Sequence, residues 1–90
     1  MPRIQIDPHT RTRMPVRGIS EDEILEVLRR DTPASASFGR LAKEKVFHFG
    51  SSWRGRLYEQ KKVRVVYVEE EGEMITVTAY AYYGNWGTGT

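Results

Sequence analysis

Residues 17–24, with the sequence RGISEDEI, constrain the fold most strongly because they end one helical segment and begin another. Gly18 can adopt the positive φ angle that often follows the last turn of a helix. Ser20 and Glu23 have the spacing of a capping box, in which each side chain accepts a hydrogen bond from the other residue's backbone N–H. A helix is therefore predicted to begin at Glu21.

Two helical segments are predicted near the N-terminus. The first begins with Asp7 as its N-cap and Pro8 at its first position, where proline is well tolerated. Pro15 removes a backbone N–H donor inside this segment, so the first helix is predicted to kink or to stop near Arg13. The second helix is predicted over residues 21–30, with an apolar stripe at helical spacing. That stripe consists of Ile24, Leu25, Val27 and Leu28.

The rest of the chain is rich in strand signals. Alternating or β-branched residues predict strands at residues 3–6, 45–49, 56–60, 63–68 and 74–82. A loop with at most one turn of helix is predicted over residues 34–44, a turn over 50–55 and a hairpin turn over 70–73. In the last strand, alternation predicts one face with Ile75, Val77, Ala79 and Ala81 and the other with Thr76, Thr78, Tyr80 and Tyr82.

These elements predict an α+β fold in which one or two N-terminal helices pack on one face of an antiparallel sheet. Ninety residues suffice for a single domain, which we expect to span residues 1–83. The tail at residues 84–90 is rich in Gly and Thr, and it is expected to fray and to be flexible.

Charge is unevenly distributed along the chain, although the net charge is only +2. Residues 34–64 carry eight Lys and Arg residues and two Glu residues, a net of +6, whereas residues 21–33 carry a net of −3. The basic segment suits an anionic partner, but ordinary solvated surface charge gives the same composition.

The composition argues against several kinds of site. There is no cysteine, so neither a disulfide framework nor a thiolate site is expected. The two histidines lack the spacing of zinc ligands, and neither a metal nor a cofactor is predicted. No apolar run approaches the length of a membrane span, so we expect no membrane partner and a cytoplasmic location.

Three residues spaced by four are candidates for a phosphate site. On an unbroken helix, His9, Arg13 and Arg17 lie along one face. His9 would act as a general base because imidazole titrates near neutral pH, and Arg13 would hold a phosphate through its planar fork. In the alternative, His9 only completes the helix start and Arg13 pairs with an acid of the second helix.

A second group of candidates would bind nucleic acid, with a tryptophan stacked on a base and cations on the phosphates. These residues are Trp53, Arg54, Arg56, Lys61 and Lys62, and Arg64 extends the basic run. In the alternative, the tryptophan folds back on the sheet and the lysines protect an edge strand from aggregation.

Further candidates lie on the predicted strands. His48 is expected on the strand face opposite Phe47 and Phe49, where it is either a second acid or base or simply an exposed position. Tyr80 and Tyr82 end the last strand, and cross-strand aromatic packing accounts for them without a functional role.

The pattern HxxxRMxxRGIxxxEI at residues 9–24 resembles the opening motif of an uncharacterised bacterial domain family that is grouped with the RelE/ParE-type toxins. The later strands and the Thr-x-Tyr pattern of Thr78 and Tyr80 are similar too, so the resemblance spans residues 4–82. Pro15 departs from the family's pattern, in which this helix is uninterrupted. RelE-type members cleave RNA, whereas ParE-type members inhibit gyrase without cleaving a substrate.

The resemblance implies a RelE/ParE-like fold and a toxin-like, metal-independent endoribonuclease that acts on RNA. It also implies a cognate antitoxin protein as a partner. The candidate catalytic residues are then His9, Arg13, Arg17, Arg64 and a late tyrosine, Tyr80 or Tyr82. The alternative is a non-enzymatic binding module of the same fold, which acts on a protein such as gyrase or on a nucleic acid.

Overall fold

A computed structural model of the protein describes residues 3–30 and 32–86. These residues form two helices, five strands and one short 3₁₀ turn. In chain order they are β1 (Arg3–Gln5), α1 (Pro8–Arg17), α2 (Glu21–Leu28), β2 (Ala34–Ser35), the 3₁₀ turn (Ser37–Gly39), β3 (Leu41–Trp53), β4 (Arg56–Glu70) and β5 (Glu73–Gly84). The predicted α+β class is confirmed.

The five strands form one sheet in the order β1-β5-β4-β3-β2. Strands β2 to β5 pair antiparallel as predicted, but β1 pairs parallel with β5, so the sheet is mixed. The prediction missed this because β1 and β5 stand at opposite ends of the chain, where hairpin signals carry no information about pairing.

Helix α1 begins as predicted but does not stop near Arg13. It continues through Pro15 to Arg17, and Gly18 then ends it with a φ angle of 70°. Pro15 removes a single intrahelical hydrogen bond, and Arg11 is exposed, so water can bind the carbonyl that is left unpaired. Met14 packs in the core and favours the helical continuation of this last turn.

Helix α2 begins at the predicted capping box. The Ser20 hydroxyl accepts the Glu23 N–H at 3.2 Å, and the Glu23 carboxylate accepts the Ser20 N–H at 2.9 Å. The helix ends at Leu28, two residues before the predicted end. The apolar stripe is confirmed, and three of its residues are fully buried against the sheet: Ile24, Val27 and Leu28.

Strands β3 and β4 are longer than predicted. The turn predicted over residues 50–55 is only two residues long, because Arg54 and Gly55 both have positive φ angles, as a type I′ hairpin requires. Residues 56–70 form a single strand, and residues 34–44 contain β2, the 3₁₀ turn and the start of β3. Local sequence propensity does not predict these extensions, because pairing between the two strands stabilises segments whose own strand propensity is low. The hairpin turn at residues 70–73 is confirmed.

The alternation predicted for β5 is wrong at one point, where the strand contains a β-bulge. Val66 pairs with Thr78 and Tyr67 pairs with Thr76, so Val77 is an extra residue. The faces therefore exchange at Val77, and Thr76 is buried at 1% exposure beneath the start of α1.

The two helices cover one face of the sheet, where the core lies. Its buried residues come from both helices, the connection between them, β4 and β5: Met14, Ile19, Ile24, Val27, Leu28, Val63, Val65, Tyr67, Met74 and Ala79. Leu41 and Phe47 of β3 are partly buried against them. Within residues 3–30 and 32–86, no helix is long and apolar enough to cross a membrane.

The first residues of the predicted tail contact the sheet. Gly84 is the last residue of β5. The Asn85 side-chain oxygen accepts the Glu59 N–H at 2.8 Å, and the Trp86 N–H donates to the Gln60 side chain. Residues 87–90 lie outside the described residues, and the flexibility expected of them stays a prediction.

Candidate functional site

The face of the sheet opposite the helices, here called the open face, is a regular grid of side chains from three strands. Cross-strand pairing aligns Glu44 with Arg64 and Tyr80 in one row, and Val46 with Lys62 and Tyr82 in the next. Alternation along each strand places these residues opposite the core residues Val63 and Val65. The grid consists of Ala42, Glu44, Val46 and His48 of β3, Gln60, Lys62, Arg64 and Val66 of β4, and Thr78, Tyr80, Tyr82 and Gly84 of β5.

Three large aromatic side chains, here called the aromatic row, follow β5 on the open face: Tyr80, Tyr82 and Trp86. They are 37%, 46% and 43% exposed. The Tyr80 and Tyr82 ring centroids lie 6.5 Å apart. A Cβ atom at Gly84 would lie only 2.7 Å from the Trp86 ring, so the glycine lets this ring lie close against the strand.

Cations accompany the aromatic row. The Lys62 ammonium lies 5.5 Å from the centroid of the Tyr82 ring and 5.8 Å from that of Trp86. In the next row, the Arg64 guanidinium lies 3.7 Å from the Glu44 carboxylate. The Arg64 side chain is 30% exposed, so solvent weakens this ion pair and leaves the guanidinium accessible to an anion.

A cavity, here called the loop pocket, lies at the Arg64 end of the open face. Its volume is about 570 Å³, and the segment between β2 and β3 forms one of its walls. The residues that line it are Ser35, Ala36, Ser37, Phe38, Arg40, Arg64, Val66, Thr78 and Tyr80. It therefore combines two guanidinium groups, two aromatic rings and four hydroxyl groups.

Arg17 reaches the edge of the sheet next to this pocket. Its guanidinium donates to the Ala79 carbonyl at 2.7 Å and lies 4.8 Å from the centroid of the Tyr80 ring. The paired part of β1 ends opposite Ile75. Beyond the end of β1, β5 is an edge strand, and Arg17 binds one of its unpaired carbonyl groups. The structure thus brings together three of the predicted catalytic residues, Arg17, Arg64 and Tyr80.

The other two predicted catalytic residues lie apart from this group. His9 and Arg13 are exposed on α1. At 1.5 Å of rise per residue, His9 lies about 12 Å along the helix axis from Arg17, so the three residues do not converge on one phosphate. The structure does not bring His9 to Arg64 or Tyr80.

His48 occupies the position that alternation predicted for it. It is exposed and lies on the open face, whereas its neighbour Phe47 packs against the core. His48 pairs with Gln60, which makes Lys62 its diagonal neighbour, at about 7–8 Å between such positions. The histidine that shares a face with Lys62 and Arg64 is therefore His48.

The tip of the β3–β4 hairpin folds back on the protein. The Trp53 ring stacks on Tyr83 with centroids 4.8 Å apart, and a Cβ atom at Gly18 would lie 2.8 Å from it. The Arg54 guanidinium donates to the Val16 carbonyl at 3.3 Å. Of the two alternatives for Trp53, packing on the fold is the one observed, while Arg56 is exposed nearby.

Lys61, which was predicted to bind nucleic acid, lies buried on the helix side of the sheet. Its side chain is only 7% exposed, and its ammonium donates to the Gly18 carbonyl at 2.7 Å and to the Glu23 carboxylate at 2.9 Å. Tyr83 closes the same cluster by donating to the Arg17 carbonyl at 2.9 Å. Burial, with the Glu23 carboxylate nearby, raises the pKa of Tyr83, so its hydroxyl stays neutral and donates.

Sequence reasoning missed Phe38 and Arg40 of the loop pocket and Trp86 of the aromatic row. A large aromatic isolated in a segment of Ser, Ala and Gly was the available signal for Phe38. Within residues 3–30 and 32–86, no group of three or more His, Asp or Glu side chains could hold a metal ion.

No protein-family model matches the chain, and the searches of curated proteins and of solved structures find no match either.

Proposed function

We propose that the protein is a toxin-like endoribonuclease that binds single-stranded RNA on the open face and cleaves it without a metal ion. The observation that carries this proposal is the aromatic row with Lys62 and Arg64 beside it. Bases stack on exposed aromatic rings, each contributing about 1–3 kcal/mol, while neighbouring cations bind the phosphates.

The spacing of the aromatic row favours a single strand. The rings of Tyr80 and Tyr82 are 6.5 Å apart, about twice the 3.4 Å rise between stacked bases. Bases that follow this row must therefore be unstacked from one another, as they are in loops and single strands. In a duplex, paired and stacked bases could not reach the rings.

Cleavage without a metal requires proton transfer and charge stabilisation. A base takes the proton of the 2′-hydroxyl, whose oxygen attacks the phosphorus, and an acid protonates the departing 5′-oxygen. The products are a 2′,3′-cyclic phosphate and a 5′-hydroxyl. On the open face, the His48 imidazole can transfer protons, and its diagonal neighbour Lys62 can stabilise the phosphorane charge.

The two histidines provide a matched test of this proposal. His48→Ala is expected to reduce RNA cleavage about 10²–10⁴-fold, the usual contribution of a positioned proton-transfer group. His9→Ala is expected to retain activity, because His9 lies away from the open face. Both residues are exposed, so neither change should shift the thermal midpoint. The assay measures cleavage of structured and unstructured RNA with and without EDTA.

Three other results would contradict part or all of this proposal. Loss of cleavage in His9→Ala alone would return the role of base to the residue that the sequence motif suggested. Cleavage that EDTA abolishes would contradict the metal-independent mechanism. A wild-type protein that neither binds nor cleaves any RNA of the panel would contradict the proposal as a whole.

A non-enzymatic binding module is the second candidate function. The observation that favours it is the ion pair with Glu44, which offsets part of the charge of Arg64, a candidate catalytic residue, whereas the aromatic row alone suffices for binding. Tight binding of RNA without cleavage would support this candidate. The resemblance to RelE/ParE-type toxins supports both candidates, and with either one we propose a cytoplasmic location and an antitoxin as protein partner.

A further inference from the structure

Phe38 combines two unusual properties. Its side chain is 92% exposed, and its φ angle is +62°, in the left-handed region that bulky residues rarely adopt. The Arg40 guanidinium lies 5.9 Å from the centroid of the Phe38 ring. A strained backbone that presents a large apolar ring to solvent is costly for the fold, and such costs are concentrated at ligand-binding positions.

The surrounding segment holds this conformation in place. The Ala36 N–H donates to the Arg40 carbonyl at 2.9 Å, and the Arg40 N–H donates to the Ser37 carbonyl at 3.3 Å. Strand β2 fixes the start of the segment by pairing Ser35 with Leu41. The Phe38 ring is therefore presented at the loop pocket by a hydrogen-bonded segment.

The composition of the loop pocket fits one nucleotide. Phe38 on the loop and Tyr80 on β5 supply two aromatic rings for a base, and Arg40 and Arg64 supply guanidinium groups for a phosphate. The hydroxyls that line it can bond to the base edges or to the 2′-hydroxyl, which distinguishes RNA from DNA. The volume of about 570 Å³ lies within the usual range of small-molecule sites.

We propose that Phe38 clamps one unstacked RNA base in the loop pocket, opposite Tyr80, while Arg40 binds its phosphate. This inference rests on the proposed function and deepens it. The clamp places a nucleotide at the Arg64 end of the aromatic row, so it sets the register of the strand along the open face. Phe38 is thus a residue that determines specificity.

Phe38→Gly tests this role because glycine removes the ring and also relieves the positive φ angle. Affinity for a short fluorescein-labelled single-stranded RNA is expected to fall about tenfold or more, as for loss of one stacking ring. The thermal midpoint of unfolding is expected to remain unchanged or to rise. Phe38→Trp should retain affinity. Leu57→Gly is the control, since Leu57 is 76% exposed on β4 outside the pocket.

RNAs that carry one abasic nucleotide at successive positions locate the clamped base. With the wild type, one position is expected to weaken binding most, and Phe38→Gly should cause no further loss at that position. If Phe38→Gly binds like the wild type while Tyr82→Ala loses affinity, the clamp is wrong and the proposed function survives. If the wild type binds no RNA, both are wrong. If single-stranded DNA binds as tightly as RNA and depends equally on Phe38, the loop pocket does not distinguish RNA from DNA.

Discussion

Asp7 shows how one side chain can join two elements. Its carboxylate caps α1 by accepting the Thr10 N–H at 3.1 Å, and it also accepts the Thr76 hydroxyl at 2.9 Å. Thr10 and Thr76 are almost fully buried, so their hydroxyls require partners inside the protein. Among the described residues, no buried side-chain nitrogen or oxygen lacks a hydrogen bond. The N-cap of α1 therefore also attaches the helix to β5.

The Asp7 cluster should make stability depend on pH in the acid range. Burial raises the pKa of Asp7, but the bonds from Thr10 and Thr76 outweigh it and hold this pKa below its usual value. The contribution of Asp7 is then fully present above the unfolded pKa of about 3.9, and it is lost as the pH falls through the lower folded value. Asp7→Asn should remove this dependence.

Urea unfolding of both proteins between neutral pH and pH 2 measures this effect. The difference in unfolding free energy between wild type and Asp7→Asn should be constant near neutrality and shrink below about pH 4. A difference that stays constant down to the lowest pH would show that Asp7 has its ordinary pKa in the folded protein.

Residue-scale features were predictable where they depend on neighbours in sequence. The cap at Asp7 follows from the adjacent Pro8 and the cap at Ser20 from its spacing to Glu23, and both are present. The partnership of Asp7 with Thr76 was not predictable, because the β-bulge at Val77 decides which face Thr76 occupies. The isolated sequence of β5 carries no signal for that bulge.

At the scale of elements, Lys61 and Lys62 are adjacent on β4 but face opposite sides of the sheet. Lys61 joins β4 to the connection between the helices through Glu23 and Gly18. Lys62 lies among the aromatic side chains of the open face. Two neighbouring lysines are therefore expected to have separate roles, one in stability and one in binding.

Substitution of each lysine by methionine separates these roles. Lys61→Met should lower the unfolding free energy by about 2–3 kcal/mol, somewhat below the cost of breaking a fully buried ion pair because the Glu23 side chain keeps 20% exposure. Lys62→Met should leave stability unchanged and weaken RNA binding. Urea unfolding and fluorescence anisotropy measure the two effects. Equal loss of stability in both variants would contradict the assignment.

Some residues of the candidate site were candidates from the sequence, but others were not, and their arrangement could not be predicted. Arg64 and Tyr80 were both candidates from the sequence, yet their adjacency depends on a register that the bulge in β5 sets. Phe38 was missed because a positive φ angle at that residue cannot be derived from a Ser-Phe-Gly sequence. Arg17 reaches Tyr80 only because α1 continues through Pro15.

At the scale of the whole molecule, the fold divides the basic segment between two surfaces. Lys43, Lys45 and Lys61 turn towards the helices, where they bond to the Leu28 carbonyl, Glu26 and Glu23. At the tip of the β3–β4 hairpin, Arg54 bonds to the Val16 carbonyl and Arg56 is exposed. The cations beside the aromatic row and in the loop pocket are Arg40, Lys62 and Arg64. The positive charge available to an RNA is therefore smaller than the sequence alone indicates.

This division predicts how salt affects RNA binding. Each phosphate that a cation neutralises contributes about −0.7 to the slope of log K against log salt for a single strand, so three cations give a slope of about −2. Lys62→Met should reduce its magnitude by about 0.7. Fluorescence anisotropy titrations at increasing salt measure both values. A slope near −6 would require all eight cations of residues 34–64 to bind phosphates, whereas a slope near zero would eliminate an RNA partner held by phosphate contacts.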